Sequence, residues 1–179
     1  YRLGKVVKGT TAALLAASLF CFYPALMGFN NLILTETLFT FFFTSTCLSS
    51  ALYLQHGRPG DMALAALWCG LGALTRSALF FFAPVLILYV LVFSRVPLLR
   101  RLGGAALFAI VFAVVLAPWT IRNTRLQKTF TTVDCMGGRN LMMGNYEHTP
   151  LERTWDAISI DGDRAWYSIL AKRDPGFND

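Results

Sequence analysis

Between Gly9 and Gln55 the chain carries a single charged side chain, Glu36, and from Asp61 to Phe93 only Asp61 and Arg76 are charged. A water-soluble fold has to cover its surface with polar groups, and stretches of this length and composition have none to spare. Residues classed as hydrophobic make up 55% of the chain, above what soluble domains carry, so burial in a bilayer is the consistent solution. After Trp119 charged residues become frequent and the chain reads as ordinary aqueous protein. The formal net charge of +6 sits largely beside the apolar runs, where the positive-inside rule places it. It therefore points to a membrane and not to nucleic acid.

Thr10 to Phe29 provides about 20 apolar or small residues, enough for a hydrocarbon core of roughly 30 Å. It is too long for a signal peptide and lacks a small-residue cleavage site. Leu32 to Leu54 is a second run, separated from the first only by Asn30-Asn31, which predicts a tight helical hairpin. Gly103 to Trp119 is a third clear span, expected to end at Pro118.

Met62 to Phe93 is different. As one helix it would be about 48 Å long at 1.5 Å per residue. It would also bury Arg76 near mid-bilayer, at a cost of at least about 3 kcal/mol. Two short helices, Met62–Leu74 and Leu79–Phe93, remove both difficulties by placing Thr75-Arg76-Ser77 at a turn. Arg2, Lys5, Lys8, Arg58, Arg95, Arg100 and Arg101 then share one face, the cytoplasmic one by charge bias. The predicted fold class is an all-α polytopic membrane protein of about five spans, two of them short, with a small C-terminal α+β soluble segment. The expected division is 1–119 membrane and 120–179 extracytoplasmic. In the latter, Lys128 to Val133 (KTFTTV) has strand composition and Gly137-Gly138 and Gly144-Asn145 are turn signals. Asp163 to Arg173 has the pattern of a capped helix.

Four places could carry chemistry. Glu36, in Leu34-Thr35-Glu36-Thr37-Leu38, is a carboxylate at the mouth of a membrane helix and a functional candidate. It would equally serve as a favourable first-turn acid with Thr35 as cap. Arg76 offers a planar fork of donors suited to phosphate, or could snorkel to headgroups or pair with Glu36. Arg122, in Pro118-Trp119-Thr120-Ile121-Arg122-Asn123, is an interface anchor or a contact to a donor phosphate. Asn140 and Asn145, in the glycine-containing run 137–145, would shape a sugar-binding loop or simply make turns. His56 and His148 are predicted on opposite sides, so no metal cluster is indicated by spacing. The cysteines show neither a zinc nor a disulfide pattern.

These motifs, in this order, resemble the multi-span GT-C glycosyltransferases related to protein O-mannosyltransferases and the lipid A aminoarabinose transferase. YPALMGFNNLILTETLFTFFF is similar to their segment entering the second extracytoplasmic loop. GLGALTRSALFFFAPVLIL is similar to their short helical pair, and APWTIRNTRLQKTFTTVDCMGGRNLMMGN to the start of their soluble region. The resemblance runs to about Tyr146.

It implies transfer of a hexosyl or pentosyl group from a polyprenyl-phosphate-linked donor to a glycan, lipid or protein acceptor. The reaction would be an inverting, metal-dependent or metal-assisted displacement on the outer face of a bacterial inner membrane. Glu36 matches the family's second acidic position, associated with a divalent metal ion or the site rim, and Arg76 matches a position suited to the carrier phosphate. The family's first acidic loop, which supplies the base, would precede Tyr1, so these residues alone are expected to be inactive. The pattern departs at Ser77, where many relatives have Pro, and at Met136, where Asn usually precedes the two glycines. Two readings outside this class remain, a lipid or amphiphile transporter with interrupted helices and a non-catalytic membrane subunit.

Overall fold

A computed structural model describes residues 1–31, 35–133 and 137–145. The predicted helix at Asp163–Arg173, and Cys135, Met136 and His148, lie outside the described residues. Eight helices occur among the described residues: α1 (Arg2–Lys8), α2 (Thr10–Cys21), α3 (Pro24–Asn31), α4 (Thr35–His56), α5 (Pro59–Thr75), α6 (Ala78–Phe93), α7 (Leu98–Gln127) and α8 (Gly137–Asn145). The chain divides into two compact units, Tyr1–Val133 and Asp134–Asp179. The boundary expected at Trp119 falls inside α7.

Two helices, α4 and α7, are long and apolar enough to cross a membrane, and α2 and α6 are shorter apolar helices. Their outward faces support burial in lipid. On α6, Phe81, Val85, Leu88 and Val92 form a stripe at helical spacing and are 56–72% exposed. Ile110 and Val114 of α7 project in the same exposed manner. Apolar stripes of this size on several helices are unfavourable in water and favourable in hydrocarbon.

The centre of the first unit is α5. Its fully buried face, Met62, Ala65, Ala66, Cys69 and Ala73, repeats every three to four residues and is made almost entirely of small side chains. It packs on α4, which contributes Thr46, Ser49, Ser50 and Tyr53. Small residues let the backbones approach closely, which is how helices associate without a hydrophobic driving force. The α4 hydroxyls are satisfied within the helix, Thr46 Oγ1 donating to the Phe42 carbonyl at 2.8 Å and Ser50 Oγ to the Thr46 carbonyl at 2.7 Å. The other side of α5 meets α7, with Gly70 set against Val115.

Tyr53, 1% exposed, donates from its hydroxyl to the Arg100 carbonyl at 2.7 Å and pins the end of α4 to the start of α7. Tyr53→Phe is expected to lower stability by about 1 kcal/mol, the net worth of such a bond. A melting curve of the detergent-solubilised protein with no downward shift would show that this bond contributes nothing.

The paired short helices predicted around Arg76 are present as α5 and α6. Four other expectations are corrected. The first span is broken: the ring of Pro24 cannot continue a helix, and α2 ends at Cys21 before α3 begins. In addition, α1 turns back on α2 through Gly9, whose φ of 84° favours glycine, so that Gly4 lies against Ala13.

The last span does not stop at Pro118, because α7 continues to Gln127 with Pro118 inside it. An interior proline costs a hydrogen bond, but such breaks are re-satisfied in membrane helices by neighbouring groups. Finally, KTFTTV is not a strand. Lys128 adopts the left-handed conformation at φ 54°, and the chain then returns along α7. Its carbonyls accept from helix side chains, Thr132 from Thr120 Oγ1 at 2.9 Å and Val133 from Trp119 Nε1 at 3.1 Å. Strand-like composition was satisfied by a helix face in place of a neighbouring strand. In the second unit the turns expected at Gly137-Gly138 and Gly144-Asn145 are instead the two ends of α8.

Candidate functional site

Helix polarity places the charged residues. Since α4 runs antiparallel to α5 and α6 returns, the start of α4 and the α5–α6 turn lie at one end of the bundle. Arg76 occupies that turn, and its backbone N–H still reaches the Gly72 carbonyl at 2.9 Å. Ser77 follows, and α6 resumes at Ala78. Helix α5 thus ends at the arginine and leaves Arg76 at one end of the bundle.

Across the opening, Glu36 stands in the first turn of α4, where a negative charge complements the helix dipole. Arg76 Nη1 donates to Glu36 Oε1 at 2.5 Å. The guanidinium also lies 6.0 Å from the centroid of the Phe39 ring. The pair is open to the outside, Arg76 being 47% and Glu36 30% exposed. The second carboxylate oxygen, Glu36 Oε2, is buried and has no hydrogen-bond partner among the described residues. A buried carboxylate oxygen without a donor is costly, and a ligand proton or cation would relieve the cost. Thr35 and Glu36 both lie in the first turn of the described part of α4.

Beside the pair is a cavity of about 430 Å³ between α2, α3 and α4. Phe20, Cys21, Leu26, Met27 and Phe41 give it apolar walls, and Thr37, Thr40 and Thr44 add a polar row. Thr40 Oγ1 donates to the Glu36 carbonyl at 2.7 Å. The break between α2 and α3 opens this space, a consequence of Pro24 that hydropathy does not reveal. The threonine spacing in TETLFTFFFTST was the one signal that could have shown it.

Arg122 lies on α7, near the same end of the bundle, since Val115 two turns earlier meets Gly70 of α5. Its guanidinium stacks 5.1 Å from the Trp119 ring, and Nη1 donates to Asn123 Oδ1 at 3.2 Å. Both Trp119 and Arg122 are exposed, an arrangement typical of an interface anchor. Among the described residues, no hydrogen bond or ion pair joins Arg122 to the Glu36–Arg76 pair. Asn140 and Asn145 sit on α8 in the other unit and not on a loop, and Asn145 Nδ2 donates to the Leu141 carbonyl at 2.8 Å. Of the three candidates in the first unit, the structure brings together Glu36 and Arg76.

A divalent ion takes about six or more oxygen ligands. Glu36 Oε2 is a chemically suitable first one, and no group of three or more acidic, histidine or cysteine side chains stands together among the described residues. This chain's described residues fit a metal as a single ligand.

A helical bundle with apolar helices long enough to cross a membrane, and a carboxylate–guanidinium pair at one end, has the architecture of an integral membrane protein. The chain belongs to the dolichyl-phosphate-mannose-protein mannosyltransferase family, whose model matches residues 1–121. It is thus a membrane glycosyltransferase chain of GT-C type, as the motif resemblance implied. The match takes in Glu36 and Arg76 and ends just before Arg122. No curated protein and no solved structure matches.

Proposed function

We propose that the rim of this bundle holds the phosphate end of a polyprenyl-phosphate-linked sugar while the sugar passes to an acceptor on the extracytoplasmic face. The observation that carries the reading is the Glu36–Arg76 pair beside the cavity of Thr37, Thr40, Phe41 and Thr44. A carrier of this kind has a charged phosphate at the membrane surface and an isoprenoid tail in the hydrocarbon. Arg76 supplies planar donors that neutralise the charge growing on the leaving phosphate. The cavity offers apolar walls to the first isoprene units. Glu36 holds Arg76 in place through Oε1 and presents Oε2 to an acceptor hydroxyl or a cation. A divalent metal at Glu36 would draw its other ligands from phosphate and water, and would supply further stabilisation of the leaving group's charge. Arg122, Asn140 and Asn145 are further candidate contacts to the substrate.

Family membership favours transfer over transport. The charge bias of the basic loops supports an orientation with α7 emerging on the extracytoplasmic side, and a bacterial inner membrane is the setting that the family resemblance implies. The test uses full-length protein and a polyprenyl phosphate carrying a diazirine on its first isoprene unit. Labelling should concentrate on the 37–44 segment of α4 and vanish with excess unmodified carrier. Labelling spread evenly over the lipid-facing helices would overturn the assignment.

A further inference from the structure

The opposite end of the bundle holds a second cavity that the transfer reading does not use. It measures about 490 Å³ and is lined by Tyr53, His56, Gly57, Arg58, Pro59, Arg100, Gly103 and Gly104. Its walls come from the α4–α5 connection and the first turns of α7. We propose that this cavity binds the phosphate group of an anionic phospholipid, at the membrane face opposite the Glu36–Arg76 pair.

Three observations support it. First, the charge is unbalanced. Arg58 and Arg100 both line the cavity, and neither forms an ion pair among the described residues, where Arg76–Glu36 is the salt bridge found. Arg101, the next residue, is by contrast spent within the fold, donating from Nε to the Val96 carbonyl at 2.6 Å and from Nη1 to the Leu91 carbonyl at 3.1 Å. Neighbouring arginines thus divide into one that closes the end of α6 and one left facing a cavity.

Second, the cavity is held in shape by the fold. Gly57 has φ 65°, a conformation that favours glycine, and its N–H bonds the Tyr53 carbonyl at 2.7 Å. The chain therefore turns sharply before Arg58 and Pro59 start α5. Tyr53 fixes the facing wall through its bond to the Arg100 carbonyl. Third, the surroundings suit a lipid. Leu99 and Leu102, on either side of Arg100, are 83% and 50% exposed, as acyl-chain contacts would be. Basic cavities between membrane helices near the surface are a recognised type of site for anionic headgroups.

The chemistry recognised is a phosphate, which a lipid headgroup or a free ion could supply. Here the exposed leucines favour the lipid. The test is native mass spectrometry of the full-length protein with phosphatidylglycerol, phosphatidylcholine or inorganic phosphate. Wild type should retain phosphatidylglycerol preferentially. Arg58→Gln with Arg100→Gln should weaken that retention roughly thirtyfold, given the usual contribution of each basic residue near a charged surface. Arg95→Gln, a basic residue outside the cavity, should leave it unchanged.

Gly103 has open space where a Cβ would go, so Gly103→Leu should fill the cavity without removing charge and also abolish the preference. Equal retention by wild type and both cavity variants would overturn the proposal. So would an equal loss in Arg95→Gln, which would mean diffuse attraction. Inorganic phosphate displacing the lipid at millimolar concentration would assign the site to a free ion and overturn the lipid as its ligand.

Discussion

Arg76→Ala in the full-length protein is expected to lower sugar transfer by about 10²- to 10³-fold, the usual loss when one donor to a developing negative charge is removed. Membrane insertion and yield should be unchanged, because an exposed ion pair contributes about 1 kcal/mol at most to stability. Arg76→Lys should recover only part of the activity, since an ammonium keeps the charge but lacks the planar fork. Glu36→Gln is expected to reduce transfer comparably, because a neutral amide neither balances Arg76 nor offers a charged Oε2. The charge swap, Glu36→Arg with Arg76→Glu, separates the two readings of this pair. If the pair only ties α4 to the α5–α6 turn, the swap restores wild-type behaviour. If it meets the donor, the swap stays inactive although the protein folds. Initial rates with a polyprenyl-phosphate sugar would decide, and full activity in Arg76→Ala would end the assignment.

The second large effect concerns folding. Gly104→Val should destabilise the bundle by about 3 kcal/mol or more, the upper end of overpacking costs. A Cβ at this position would enter the space of the Tyr53 hydroxyl and ring edge. Tyr53 has nowhere to go, being fully buried and hydrogen-bonded to the Arg100 carbonyl. Gly103→Ala is the matched control, since nothing lies within 4 Å of the Cβ it would add. Thermal melting in detergent should show a marked fall for Gly104→Val and none for Gly103→Ala. Equal midpoints would mean that α4 and α7 do not approach this closely at Gly104.

Much of the membrane architecture was legible because charge in hydrocarbon is so costly. The isolation of Arg76 in an apolar stretch required a turn there, and α5 and α6 meet at that residue. Length and hydropathy similarly located α4. Composition misled where the outcome depended on a neighbour. KTFTTV has the residues of a strand, but Thr120, Thr124 and Trp119 of α7 offered side-chain partners to that segment first. The glycines of the 137–145 run signalled turns, and the helix between them was hidden because turn residues also end helices. Pro24 lay in plain view, yet a window long enough to detect a span averages over a single break.

The candidate site divides along the same line. Glu36 and Arg76 were each conspicuous alone, as rare charges in apolar surroundings, and the sequence by itself determined that both must reach a membrane surface. That they meet, 40 residues apart, was decided by the packing of α4 on the small-residue face of α5. The orphaned Oε2, the threonine-lined cavity and the basic cavity at the far end also belong to the tertiary structure alone. Each depends on where a helix breaks or how closely two backbones approach. Solvation energy acts residue by residue and can be read along a chain, whereas cavities and pairings depend on the distances between segments that only the folded bundle sets.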